Sequence, residues 1–350
     1  MTHHVSRETF LSKCFRYTPK LMICAFVFSF ISLVSTPAAA SPKQSKPFVV
    51  AVSQIVEHVA LDQVYQGFLS EMKNLGYAED DNWIVMYRNA QGNVTTSSQI
   101  AYSLMAYDPK PDVFIAIGTP TAQSAIAAGR KNKIPVIFAA VTDPISSKLV
   151  TDLEEHRPLV TGVIDFPPIL KQIDLMKTIL PDLKKVGVLY NNGESNSESV
   201  IKAFKKAAKD QGIDVVDGIV SKSADLTLAF RRLYSQGVQA IYVPQDNTVI
   251  SAAPRLAQLS YAMKLPVFTS DNGSVKQGAL ASRSYSYEAV GRKVAQYAHR
   301  IHKGEDAGKL PIQPPEKHAL YLNLEAAEIL EIEIPQELVD SAIIYKKEAS

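Results

Sequence analysis

The two halves of this chain repeat one alternation of strand and helix, which restricts the fold to a doubly wound parallel sheet built twice. In the first half, short apolar, β-branched runs at 47–54, 83–87, 113–117 and 135–139 read as strands, with helical stretches at 59–75, 95–107 and 121–131 between them. In the second half, strands at 185–190, 214–219, 240–243 and 266–269 alternate with helices at 197–211, 224–236 and 248–263. Gly76 and Gly212 each end a helix, the position glycine favours. The string KIPVIF at 133–138 is echoed by KLPVF at 264–268, and PDVFIAI at 111–117 by GVQAIYV at 237–243. The expected class is therefore α/β, two doubly wound parallel-sheet lobes joined by a multi-strand hinge. Lobe 1 is expected over 47–160 with a late return near 284–317, and lobe 2 over 161–283. Residues 318–350 are expected to give a hinge-crossing strand and a C-terminal helical tail. Crossovers are expected near 143–163, 279–284 and 318–324, and several crossovers make a hinge that can close on a ligand.

The first forty residues carry the basic positions Arg7, Lys13, Arg16 and Lys20, then an apolar run at 21–34, then small residues up to Ala40. That order is a cleavable export signal, and its apolar core is shorter than the roughly 20 residues that span a bilayer. A linker at 41–46 follows. Both cysteines, Cys14 and Cys24, lie in the segment to be removed, so the mature chain is expected to have no disulfide and no cysteine metal site. A soluble, thiol-free exported chain fits the periplasm. Removing 1–40 takes four of the 37 basic residues and one of the 35 acidic ones, leaving 33 against 34. The mature charge near −1 gives no electrostatic footprint for nucleic acid.

In open parallel sheets, ligands bind at the carboxyl ends of the strands. The loops there, 53–58, 118–121 and 140–144 in the first half and 191–197, 244–248 and 270–273 in the second, are rich in hydroxyl, amide and carboxylate groups. They supply the candidate ligand-binding residues Gln54, Glu57, Thr119, Pro120, Thr121, Thr142, Asn191, Asn196, Asp246, Asn247 and Asp271. Thr119 either caps the helix that begins at once, or caps it while the free N–H groups beside it take an anion. Asp246 and Asp271 put negative charge on the opposite wall, a polarity that suits a zwitterion. Glu57 either contacts a ligand or favours the start of the next helix. His58 reads as a polar loop or core group more readily than as a ligand contact.

No nucleophile elbow, phosphate loop, dinucleotide-binding glycine pattern, zinc-binding helix motif or cysteine cluster occurs, and His58, His156, His299, His302 and His318 lack metal-ligand spacing. Neither enzyme activity, a cofactor nor a metal is expected.

The strings QIVEHVALD (54–62), NAQG (89–92), VTDP (141–144), GVLYN (187–191), GESNS (193–197), YVP and DNT (242–244, 246–248), SVKQGAL (274–280) and NLEAA (323–327) carry a family resemblance. The chain resembles the ABC transporter substrate-binding proteins of the tryptophan/tyrosine type, which have the type 1 periplasmic-binding fold, over nearly all of its length after the leader. The resemblance implies a periplasmic, monomeric subunit that hands an amino acid, an aromatic one, to an inner-membrane permease driven by an ATPase. It also implies that Thr119, Thr121 and Thr142 hold the α-carboxylate and Asp271 the α-ammonium. Phe138, Phe166, Tyr190 and Tyr285 are candidates for an apolar wall. The alternatives are a ligand-sensing protein of the same fold and an exported enzyme.

Overall fold

The computed structural model describes residues 46–79, 81–154, 158–315 and 317–345. The export signal read over 1–40, most of the linker at 41–46, and His156 lie outside the described residues.

The first sheet is parallel throughout, in the order β2-β1-β3-β4-β5. It comprises β1 (Phe48–Gln54), β2 (Trp83–Asn89), β3 (Val113–Ile117), β4 (Val136–Val141) and β5 (Val160–Ile164), with α1 (Val59–Asn74), α2 (Val94–Met105) and α3 (Thr119–Asn132) as connections. Strands β1, β3 and β4 are buried along their whole length, as expected of parallel strands covered on both faces.

The second sheet has the order β12-β11-β10-β9-β8-β6-β7. Its strands are β6 (Lys185–Tyr190), β7 (Asp214–Ile219), β8 (Ala240–Val243), β9 (Val267–Thr269), β10 (Ala281–Tyr285), β11 (His318–Asn323) and β12 (Ala342–Tyr345). Around it lie α4 (Ile169–Ile179), α5 (Ser195–Asp210), α6 (Leu226–Ser235), α7 (Asn247–Ile250), α8 (Ala253–Met263), α9 (Asn272–Lys276), α11 (Leu324–Leu330) and α12 (Gln336–Ser341). One ladder is antiparallel, β10 with β11, because the chain returns to this sheet from the other lobe. Strand β11, where a crossing was expected, is an interior strand between β10 and β12.

The remaining helix, α10 (Tyr287–His302), follows a second-sheet strand but belongs to the first lobe, where Val290, Val294 and Ala298 join the core of Val50, Val64 and Phe68. The chain thus passes between the lobes three times, after β5, after β10 and before β11. What seats α10 is the absence of two side chains. A Cβ added to Gly291 would stand 2.0 Å from the backbone oxygen of Val64, and one on Gly67 2.3 Å from that of Glu288. At that separation no side-chain rotation gives relief; the helices themselves must part. Gly291→Ala is therefore expected to destabilise the protein by about 3 kcal/mol, above the ordinary range for overpacking. Urea unfolding at 25 °C checks this, with an unchanged m-value marking a loss of stability alone.

Candidate functional site

The site is built from loops at the carboxyl ends of both sheets, and each side chain in it is held by local backbone chemistry. At the end of β1, the buried Gln54 donates from Nε2 to the Val56 carbonyl (2.9 Å) and to Asp62 Oδ1 (2.7 Å), pinning the loop that leads into α1. His58 caps α1: its backbone is extended, and Nδ1 accepts from the Leu61 N–H at 3.4 Å. Burial lowers the His58 pKa to about 4, so the ring is neutral near pH 7. With Nδ1 accepting, the single ring proton sits on Nε2, which is buried without a protein partner.

At the start of α3 the structure corrects one expectation. Gly118, at φ 94°, occupies the capping position, and Thr119 is the first helical residue. A left-handed backbone is open to glycine and strained for threonine, which moves the cap one residue upstream. Thr121 donates from Oγ1 back to the carbonyls of Ile117 (2.6 Å) and Gly118 (2.7 Å), whereas the buried Thr119 hydroxyl has no partner. Along β4, Ala140 adopts φ 52° and the ladder to β5 shifts register there. The bulge re-aims the strand end, and beyond it the Thr142 hydroxyl donates to Asp165 Oδ1 at 3.0 Å.

Asp165 stands where the chain first leaves the first lobe. It is buried, Tyr287 at the start of α10 donates to its Oδ2 at 2.8 Å, and Gln245 of the second lobe donates from Nε2 to its carbonyl at 2.9 Å. Burial raises its pKa to about 6; the bonds from Tyr287 and Thr142 pull the other way, and the charge of Asp271 adds to the rise.

In the second lobe, Glu194 organises the wall. Its Oε2 accepts from Asn196 Nδ2 (3.0 Å), Asn247 N–H (3.0 Å) and Asn247 Nδ2 (2.6 Å), and its Oε1 from Thr248 N–H (3.0 Å) and Oγ1 (2.8 Å). Asp246 lies behind that wall: Oδ1 caps α7 through Val249 N–H (2.8 Å), and Oδ2 accepts from Asn191 N–H (2.7 Å) and Ser197 Oγ (2.6 Å). Burial, with the Glu194 charge adding, holds its carboxyl well above the usual range. Asp271 is likewise a helix cap, accepting from Ser274 N–H (2.7 Å) and Ser274 Oγ (2.8 Å) at the start of α9.

These groups enclose a cavity of about 270 Å³ between the lobes, lined by His58, Leu61, Thr119, Ala140, Thr142, Asp165, Asn196, Gln245, Asn247, Ile250 and Tyr287. Of the residues expected from sequence, Thr119, Thr142, Asn196 and Asn247 line it. Pro120 and Asn191 line the groove outside it, Glu57 is exposed, and Gln54, Thr121, Asp246 and Asp271 support the loops around it. Among the aromatic candidates, Phe138 and Tyr190 are core residues, Phe166 packs on the second-lobe core, and Tyr285 stacks on His318 at 4.4 Å. Asp165, Gln245 and Tyr287 were missed, and His58 was read as a loop or core group. Asp165 was within reach of the strand-end rule once 160–164 is recognised as a strand of the first sheet.

Four buried polar atoms of lining residues have no protein partner: His58 Nε2, Thr119 Oγ1, Asn196 Oδ1 and Gln245 Oε1. Buried polar groups are normally paired, so four orphans around one cavity mark a place for a polar ligand.

A two-lobed α/β protein with three crossovers and a buried polar cavity between its lobes is built as a solute-binding protein. The chain belongs to the ABC transporter substrate binding protein family, whose pattern it matches over residues 49–346. A tyrosine-binding protein from Clostridioides difficile (strain R20291) is 33% identical over 284 residues, 81% of each chain. Among solved structures, a conserved domain protein from Vibrio cholerae O1 biovar El Tor is 39% identical with a TM-score of 0.81, covering 86% of this chain and 100% of that one. A Streptococcus pneumoniae ABC domain in complex with L-Trp is 29% identical with the same TM-score of 0.81, and again 86% and 100% are covered. The fold is the type 1 periplasmic-binding fold, shared at 13–16% identity by more distant solute-binding proteins with TM-scores of 0.56–0.60.

The lobes meet beside the cavity, where Ser147 and Ser195 share a hydroxyl bond of 3.0 Å and α9 abuts the start of α1. A Cβ on Gly273 would come within 2.7 Å of the Ala60 nitrogen and 3.0 Å of Val59 Cβ. Gly273→Val is expected to wedge the lobes apart, and small-angle scattering should show an increased radius of gyration while the circular dichroism spectrum stays native.

Proposed function

We propose that the protein is the periplasmic solute-binding subunit of an ABC importer, that it captures an α-amino acid with an aromatic side chain, and that it delivers this solute to an inner-membrane permease and its ATPase as a monomer. The observation that carries the amino-acid reading is the polarity of the orphaned atoms. Thr119 Oγ1, the free first-turn N–H groups of α3 and His58 Nε2–H are donors suited to a carboxylate. Asp165 and Gln245 Oε1 are acceptors suited to an ammonium. The amide of Gln245 has a fixed orientation because Nε2 is held by the Asp165 carbonyl. Asp165 thus takes the part that position alone gave to Asp271, whose two oxygens are engaged with Ser274. Leu61 and Ile250 supply apolar surface, and the names of relatives support the aromatic class: one is a tyrosine-binding protein and another was solved with L-Trp. Function is closure on the solute, with no bond made or broken; the solute favours the closed form because it contacts both lobes.

Thermal-shift measurement of protein stripped of carried-over solute, against the twenty amino acids, tests the reading. Tyrosine, tryptophan or phenylalanine should raise the melting temperature, and no response to any of them overturns it. Asp165→Asn removes the charge facing the ammonium and should weaken binding by at least about 2 kcal/mol, roughly thirty-fold, in calorimetric titration.

Binding should also depend on pH. In the free protein Asp165 titrates near 6, and an ammonium beside it lowers that value. Between the two values binding expels a proton, so affinity is full above pH 6 and falls as the pH drops through about 6. Titrations at pH 5.5 in buffers of different ionisation enthalpy should report proton release, and Asp165→Asn should abolish it.

A further inference from the structure

The cavity holds one acceptor that neither end of an amino acid requires. Asn196 is buried in the first turn of α5, and its Nδ2 donates to Glu194 Oε2 at 3.0 Å and to the Gln245 carbonyl at 2.6 Å. Reversing the amide would set its oxygen against a carboxylate and a carbonyl, so the network fixes the orientation and Oδ1 is the acceptor. That atom is one of the four orphans.

Its place in the cavity separates it from the ammonium acceptors. Gln245 is tied to Asp165 at the crossover, whereas Asn196 is tied through Glu194 to Asn247, and these two residues and Ile250 form the second-lobe side of the lining. An amino acid whose charged groups engage Asp165, Gln245 and the start of α3 directs its side chain toward Leu61, Ile250 and Asn196. A phenyl ring there leaves Oδ1 buried and unpaired, and a ring bearing a donor satisfies it.

We propose that Asn196 Oδ1 accepts a hydrogen bond from the polar atom of the bound aromatic ring, a phenol O–H or an indole N–H, and so makes the site select tyrosine or tryptophan over phenylalanine. The inference rests on the amino-acid reading of the cavity. One unmet neutral acceptor corresponds to roughly a ten- to hundred-fold loss of affinity for the analogue that lacks the donor.

The test is calorimetric titration of stripped, full-length mature protein with L-tyrosine, L-tryptophan and L-phenylalanine, repeated with Asn196→Ala. In the wild type, the tighter of tyrosine and tryptophan should exceed phenylalanine at least ten-fold, and which of the two leads tells phenol from indole. In Asn196→Ala the advantage over phenylalanine should shrink to within about three-fold. Phenylalanine binding within three-fold of the better partner in the wild type overturns the proposal whether or not the variant folds, as does an undiminished preference in a folded variant. Binding of none of the three overturns the amino-acid reading and this proposal with it, whereas binding without selectivity overturns this one alone.

Discussion

A buried carboxylate joins the parts of this protein. Asp165 accepts from Thr142 in the first lobe and from Tyr287 at the head of the returning helix, while its carbonyl accepts from Gln245 in the second lobe. Removing a charge from water without a partner is costly, and two neutral hydroxyls compensate it only in part. The raised pKa registers that shortfall. A cation brought to the same spot relieves it, so the strain left at the crossover and the capacity to hold an ammonium are one electrostatic fact.

Fold and site were legible to different degrees, for physical reasons. Strands such as 113–117 and 135–139 announce themselves because both faces of a parallel sheet are covered, which leaves unbroken apolar runs. The site depends on which strand-end groups stay free after local bonding, and that is decided by bonds over two or three residues. Asp246 and Asp271 both sit at strand ends, as a ligand carboxylate would, yet each turns back to a residue three positions on and caps a short helix. His58 does the same with one ring nitrogen, and this very bond leaves the other nitrogen as a donor in the cavity. Asp165 escaped notice because its strand, 160–164, was read as part of a crossover. Only the pairing of β5 with β4 shows that the first sheet has a fifth strand end there.

Close approach of backbone is the second constraint. Gly67 and Gly291 let a helix that follows the second sheet seat itself on the first lobe, and Gly273 lets the lobes meet at the start of α1. The chain consequently crosses three times, which restricts relative movement of the lobes to a swing about those crossings.

The Glu194 network has a consequence for the order of events. All five of its donors come from its own lobe, so the second-lobe wall is assembled whether or not the first lobe is near. An arriving solute meets a finished half-mould, and little side-chain ordering is left to charge against its affinity. The selectivity of capture can then be exercised on first contact, before the lobes swing together.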